Sequence, residues 1–196
     1  MLKKLIKYDL IWVNKFMLIF FSISFIISSL TRIMSNFTDA FIGNILYLIL
    51  RGCAISCFVS ILINCVIRIW ARFNLNTYKD ESYLTHTLPI SKETLYNSKI
   101  ISSILSILIS LIVVILSFLI VYLDQSMIEQ IKNIFNDKNV AFIFISFIVT
   151  AILEMIYMIH CGTIGILLGH RSNNNRMVRS VFIGIGVYFV IQFILF

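Results

Sequence analysis

Apolar positions along the chain fall into five long blocks, Phe16 to Leu30, Phe41 to Ile69, Ile100 to Tyr122, Val140 to Leu168 and Met177 to Phe196, separated by short polar stretches. A helix rises about 1.5 Å per residue, so about 20 apolar residues cross a bilayer, and roughly 17 suffice where flanking side chains reach back to the interface. The first and last blocks are short by that measure but long enough to serve, and each block predicts a spanning helix. Ahead of the first, Leu2, Leu5, Ile6, Leu10 and Val13 gather on about a third of a helical wheel, with Lys3, Lys4 and Lys7 on the other side. That arrangement predicts an interfacial helix over residues 1–14. Between the second and third blocks lies "DESYLTHTLPIS", Asp80 to Ser91, which holds the chain's single proline. Pro89 disfavours helix at Leu88, so a short helix over Asp80 to Thr87 is expected, with Ser91 capping the next one. Asp80 and Glu81 at its start favour the helix dipole. Tyr83, Leu84, Thr87 and Leu88 share one arc of it, opposite Ser82, Thr85 and His86, making a small amphipathic element. The pattern as a whole predicts an all-α integral membrane protein, an N-terminal interfacial helix plus about five transmembrane helices. It forms one transmembrane domain over residues 1–196, with a built loop over residues 70–99.

Composition strengthens this reading: 60% of the residues are hydrophobic, 13% are charged, and the mean hydropathy is +0.98. One soluble core cannot bury so much apolar surface. The formal net charge of +7 does not point to nucleic acid, because no basic patch is interleaved with aromatics on a soluble surface. The basic residues instead separate by side. Lys3, Lys4, Lys7, Lys15, Arg68, Arg72, Lys79, Lys92, Lys99, Arg171, Arg176 and Arg179 fall in one set of flanks; Arg32, Lys132 and Lys138 fall in the other. The richer set is expected in the cytoplasm, together with the N-terminus and the Asp80 to Ser91 loop. Five spans then put Phe196 outside. The basic start followed by an apolar run mimics a signal peptide, but no small-residue cleavage site follows and the segment is read as retained. Asn36-Phe37-Thr38 is a sequon on the outer side, read as a chance occurrence unless the host glycosylates.

The residues offer no catalytic, cofactor or metal site. No Gly-x4-Gly-Lys-Ser/Thr phosphate cradle, His-Glu-x-x-His or Gly-x-Ser-x-Gly is present, so the chain is read as a non-catalytic membrane subunit whose ATP, if used, is hydrolysed elsewhere. Cys53, Cys57, Cys65 and Cys161 lie in apolar runs and read as packing residues, and His160 and His170 as packing and interfacial ones. Two ionisable residues lie within spans. Glu154 is mid-span in the fourth and Arg51 sits within the second, at depths that agree within roughly 6 Å, so the two are expected to pair; Arg51 reaching outward to the interface and a protonated Glu154 bonded within the bundle are the alternatives. Ser102, Ser106, Ser110 and Ser117 form a stripe on the third span, and Gly165-x-x-x-Gly169 ends the fourth. Both read as close helix packing, with a substrate-lining stripe as the sharper alternative for the serines.

The loop carries a resemblance. "RFNLNTYKDESYLTHTLPISKETLYNSKI", Arg72 to Ile100, is similar to the cytoplasmic loop of ABC-2 type transporter permeases from Gram-positive bacteria, and the order interfacial helix, span, span, loop extends the likeness over most of the chain. The resemblance implies that the loop holds a coupling helix docking on a separate ATP-binding subunit through Tyr83, Leu84, Leu88 and Pro89. It further implies a bacterial cell-membrane permease subunit of an ATP-driven exporter, assembled in lipid with a second permease chain and serving a peptide antibiotic, bacteriocin or lipid-like substrate. Such permeases usually have six spans, whereas this chain reaches Phe196 after the fifth. A non-transporting immunity or sensor protein, binding a toxin or a signalling partner, is the alternative.

Overall fold

The structure is a computed structural model and describes residues 2–38, 40–79, 81–87, 89, 91–136, 138–171 and 175–195. The described chain is all-α. Its helices are α1 (Leu2–Met34), α2 (Phe41–Tyr78), α3 (Ser82–Thr87), α4 (Lys92–Tyr122), α5 (Gln125–Asn136), α6 (Lys138–Gly169) and α7 (Arg176–Leu195), with a single 3-10 turn at Ser35–Phe37. Five of these, among the described residues, are long and apolar enough to cross a membrane: α1, α2, α4, α6 and α7. They are the five expected. Buried away from water, a spanning segment must satisfy its backbone internally, which a continuous helix does. With its one proline in the loop, the chain has nothing to interrupt them. Hydroxyls inside the spans bond the carbonyl a turn earlier, as Ser22 does to Leu18, Ser29 to Phe25 and Thr31 to Ile27.

Two details differ from the sequence expectation. The basic N-terminal segment is not set off from the first span, because α1 runs unbroken for 33 residues. The segment expected as an outer loop contains α5, whose Met127, Ile128, Ile131 and Ile134 recur at helical spacing against Glu129, Gln130, Lys132 and Asn133.

The chain divides into two units. One comprises Asn14–Cys65 and Ser106–Ala151; its small core is Ala54, Phe58 and Val121, against which Ile27, Val114 and Tyr122 pack. Small polar residues let its helices approach: Ser24 of α1 donates to Ser117 of α4 at 3.1 Å, and both are fully buried. Arg32 pairs with Asp124 at 2.7 Å on its exposed side.

The other unit comprises Met1–Val13, Val66–Leu105 and Ile152–Phe196. Here α6 and α7 meet through glycines. A Cβ at Gly165 would stand 2.6 Å from the Ser180 carbonyl oxygen, and one at Gly169 would stand 2.5 Å from the Ser180 Cα. Only hydrogen fits at either place, which bears out the packing reading of Gly165-x-x-x-Gly169.

Candidate functional site

The loop expected to dock a partner rises from a buried ionic cluster in the second of these units. Asp9 of α1 is 3% exposed and Lys99 of α4 is 7% exposed. Charges so enclosed must be paired. Lys99 Nζ donates to both Asp9 oxygens at 2.7 Å. Arg72 of α2 donates through Nε to Asp9 Oδ1 at 2.9 Å and through its terminal nitrogen to Glu81 Oε2 at 2.7 Å. Asn76 adds a longer contact to Asp9 at 3.4 Å, and Trp12 lies under the guanidinium of Arg72 at 5.2 Å and that of Arg68 at 5.9 Å. Asp9 thus joins the leading turns of α1, the last turns of α2 and the second turn of α4, while Glu81 carries the connection to the root of α3.

Helical periodicity explains why these side chains meet. Asp9 occupies the arc of Leu2, Leu5, Ile6 and Val13, so it points inward while Lys3, Lys4 and Lys7 remain exposed. Lys99 heads the serine stripe, and Ser102 and Ser103 both donate back to its carbonyl. Ser102, Ser106, Ser110 and Ser117 are all buried. Sequence reasoning passed over this cluster; its signal was an acid in the middle of an apolar arc within a basic segment.

Above the cluster, α3 is a helix of six residues, with the preceding turn closed by Ser82 N–H donating to the Lys79 carbonyl at 2.8 Å. Glu81, expected to serve the dipole of α3, is held by Arg72 instead. Ser91 caps α4 as its sequence suggests, accepting from Thr94 N–H at 3.3 Å. Of the four residues expected to dock, Tyr83 is 75% exposed and Pro89 is exposed. Leu88 and the side chain of Leu84 lie outside the described residues, as do Asp80 and Ile90.

The two residues singled out within the spans each find partners inside their own unit. Arg51 donates to the Tyr122 hydroxyl at 3.0 Å and stands 4.8 Å from the centre of that ring. Glu154 accepts from the Tyr188 hydroxyl and, at 2.8 Å, from Gln192, both on Oε1. Cys65 and Cys161 are buried, Cys57 is half-buried and Cys53 is exposed, and all four are free thiols. His170 stacks on Tyr78 with ring centres 4.1 Å apart, a packing role. No family model, curated protein or solved structure matches the chain.

Proposed function

We propose that this chain is the permease subunit of an ATP-driven exporter in a bacterial cell membrane, with its N-terminus and the Asp80 to Ser91 loop in the cytoplasm. The observation that carries the reading is the rooted loop. A short helix presents an exposed Tyr83, while the turn before it is tied through Glu81 and Arg72 to a buried carboxylate shared by α1, α2 and α4. A passive connector needs no such anchorage. A docking element does, because force applied at α3 must reach the spans through stiff contacts rather than slack chain. The basic flanks support the orientation, and the likeness of the loop to ABC-2 type permeases names the partner class: an ATP-binding subunit, joined by a second permease chain in the lipid bilayer.

Tyr83, Leu84, Leu88 and Pro89 form the docking contact in this reading, and antimicrobial peptides or lipid-like compounds are the substrates. The test is co-purification with a co-expressed ATP-binding subunit from the same bacterium, with stimulated ATP hydrolysis as a second readout. Tyr83→Ala with Leu84→Ala should weaken docking by about 2 kcal/mol or more, since aromatic and aliphatic anchors dominate such interfaces. Wild-type co-purification and hydrolysis in the double variant would overturn the reading in favour of an immunity or sensor protein that binds without pumping.

A further inference from the structure

One cation within the spans lacks a carboxylate. Arg32 pairs with Asp124, Arg72 with Asp9 and Glu81, and Lys99 with Asp9, all at 2.7 to 2.9 Å, whereas Arg51 pairs with no carboxylate among the described residues. A guanidinium does not shed its proton in a protein, so this charge is permanent. Its partners are neutral: the Tyr122 hydroxyl at 3.0 Å, the face of that ring, and the hydroxyl of Tyr47 one turn earlier on α2. The guanidinium is also held in place. Tyr47, Arg51, Ala54 and Phe58 follow one another at helical spacing, and Ala54 and Phe58 belong to the small core. Tyr122 packs on Phe118 with ring centres 4.6 Å apart, and Phe118 on Phe58 at 6.4 Å, so both halves of the pair rest on packed rings.

Two observations set the level of this charge in the bilayer. Asp124, two residues after Tyr122, forms its pair with Arg32 with side chains 63% and 42% exposed, so charges of both signs stand in the open where α4 and α1 leave the apolar layer. Lys15 and Arg32 of α1 are 17 residues apart, and so are Arg51 and Arg68 of α2, which is about 26 Å of helix in each case. The hydrocarbon core is about 30 Å thick, and long basic side chains reach outward to its edge. Arg51 therefore stands at headgroup level, where the abundant anion is phosphate. Its donors are not used up. A guanidinium carries five N–H groups and Nε spends one on Tyr122. The Tyr122 hydroxyl accepts that bond, and its own proton has no acceptor among the described residues. Nearer the membrane centre, Ile55 and Val59 follow Arg51 by one and two turns of α2, and both are exposed.

We infer that Arg51 and Tyr122 bind the phosphate of one membrane phospholipid, the guanidinium and the hydroxyl both donating to its oxygens while an acyl chain lies along Ile55 and Val59. Arginine suits this task because its planar fork meets two phosphate oxygens at once. The exposed apolar side chains select a lipid over a free anion. Phosphates line both faces of a bilayer, so the inference holds for either orientation of the chain. It goes beyond the transport reading and does not rest on it, because it concerns lipid bound to this chain alone.

Native mass spectrometry of the protein released from detergent counts bound lipids and tests the site. The probes are phosphatidylglycerol, phosphatidylcholine and a diacylglycerol with the same chains. Both phospholipids should fill a first site at about a tenth of the content that diacylglycerol needs. Arg51→Gln should raise the half-saturating content of both phospholipids by about tenfold and leave diacylglycerol binding unchanged, which also reports that the variant is folded. Tyr122→Phe keeps the ring and the cation and should weaken phospholipid binding by about threefold. Arg32→Gln removes a cation that already has its carboxylate and should leave the first site as it was. Equal binding of phospholipid and diacylglycerol, unchanged binding in Arg51→Gln, or an equal loss in Arg32→Gln would overturn the inference, the last by showing only general attraction of basic side chains to headgroups. Inorganic phosphate added in large excess should not displace the lipid; displacement would overturn the assignment to a phospholipid in favour of a free anion.

Discussion

Asp9 carries contacts from Arg72, Lys99 and Asn76, and two full positive charges rely on it. Asp9→Asn removes the negative charge while keeping the volume, leaving Lys99 buried without its counter-ion. Breaking one partner of an enclosed pair costs about 3–5 kcal/mol, so the variant should unfold at markedly lower denaturant concentration in detergent. Lys99→Met alone leaves Asp9 still paired with Arg72 and should cost less. In the Asp9→Asn, Lys99→Met double variant the losses should fall short of additive, and a thermodynamic cycle on the three variants checks this. Arg51 and Glu154 could be found from the sequence because each stands alone in an apolar run, where any charge is conspicuous. Asp9 could not be found so easily. It sits among Lys3, Lys4 and Lys7, where charge is ordinary, and only its angular position shows that it faces inward. The partners of Arg51 and Glu154 were equally obscure, since the tyrosine hydroxyls and the Gln192 amide that bond them have no periodicity that marks them out.

At the scale of elements, the crossing of α6 and α7 makes the sharpest test. Gly165→Ala puts a methyl against the Ser180 backbone and should destabilise the protein by about 1–3 kcal/mol. Gly186→Ala, on the same pair of helices, meets nothing within 4 Å and should be neutral or slightly stabilising. Thermal unfolding of the two variants side by side separates packing from helix propensity. All five long helices were legible in the sequence because hydrocarbon length dictates them. Their ends were less so: α2 continues nine residues beyond Ile69 to Tyr78, since a helix goes on satisfying its backbone after its apolar side chains run out. The short α5 escaped because polar side chains outnumber apolar ones along it, although Met127, Ile128, Ile131 and Ile134 repeat with the helical period.

At the scale of the whole molecule, twelve basic residues on one set of flanks against three on the other define the expected orientation. Single cysteines in a background with the four native thiols replaced test it. Thr87→Cys should react with an impermeant maleimide only after the cells are opened, and Thr38→Cys should react in intact cells. Labelling at position 87 from outside would reverse the topology and remove the docking proposal with it. The arrangement of five spans was readable from hydrophobicity alone, whereas which side chains meet within the two units was not, because apolar periodicity fixes the face of a helix but not its neighbour.

The cluster at Asp9 also sets an order of events during synthesis. Its principal partner lies 90 residues later in the chain, which at about 5–20 residues per second is a delay of roughly 5–20 s. Until Arg72 follows 63 residues after it, the leading turns of α1 hold an acid with neither cation of its cluster, and until Lys99 follows they hold an incomplete cluster that stays in contact with water, however early the rest of the helix enters the bilayer. The start of the protein is therefore fixed only after α4 has begun to be made. Nascent chains arrested before Lys99 leaves the ribosome should expose a cysteine at Val13 to an aqueous maleimide, and chains arrested after the third spanning helix has emerged should protect it.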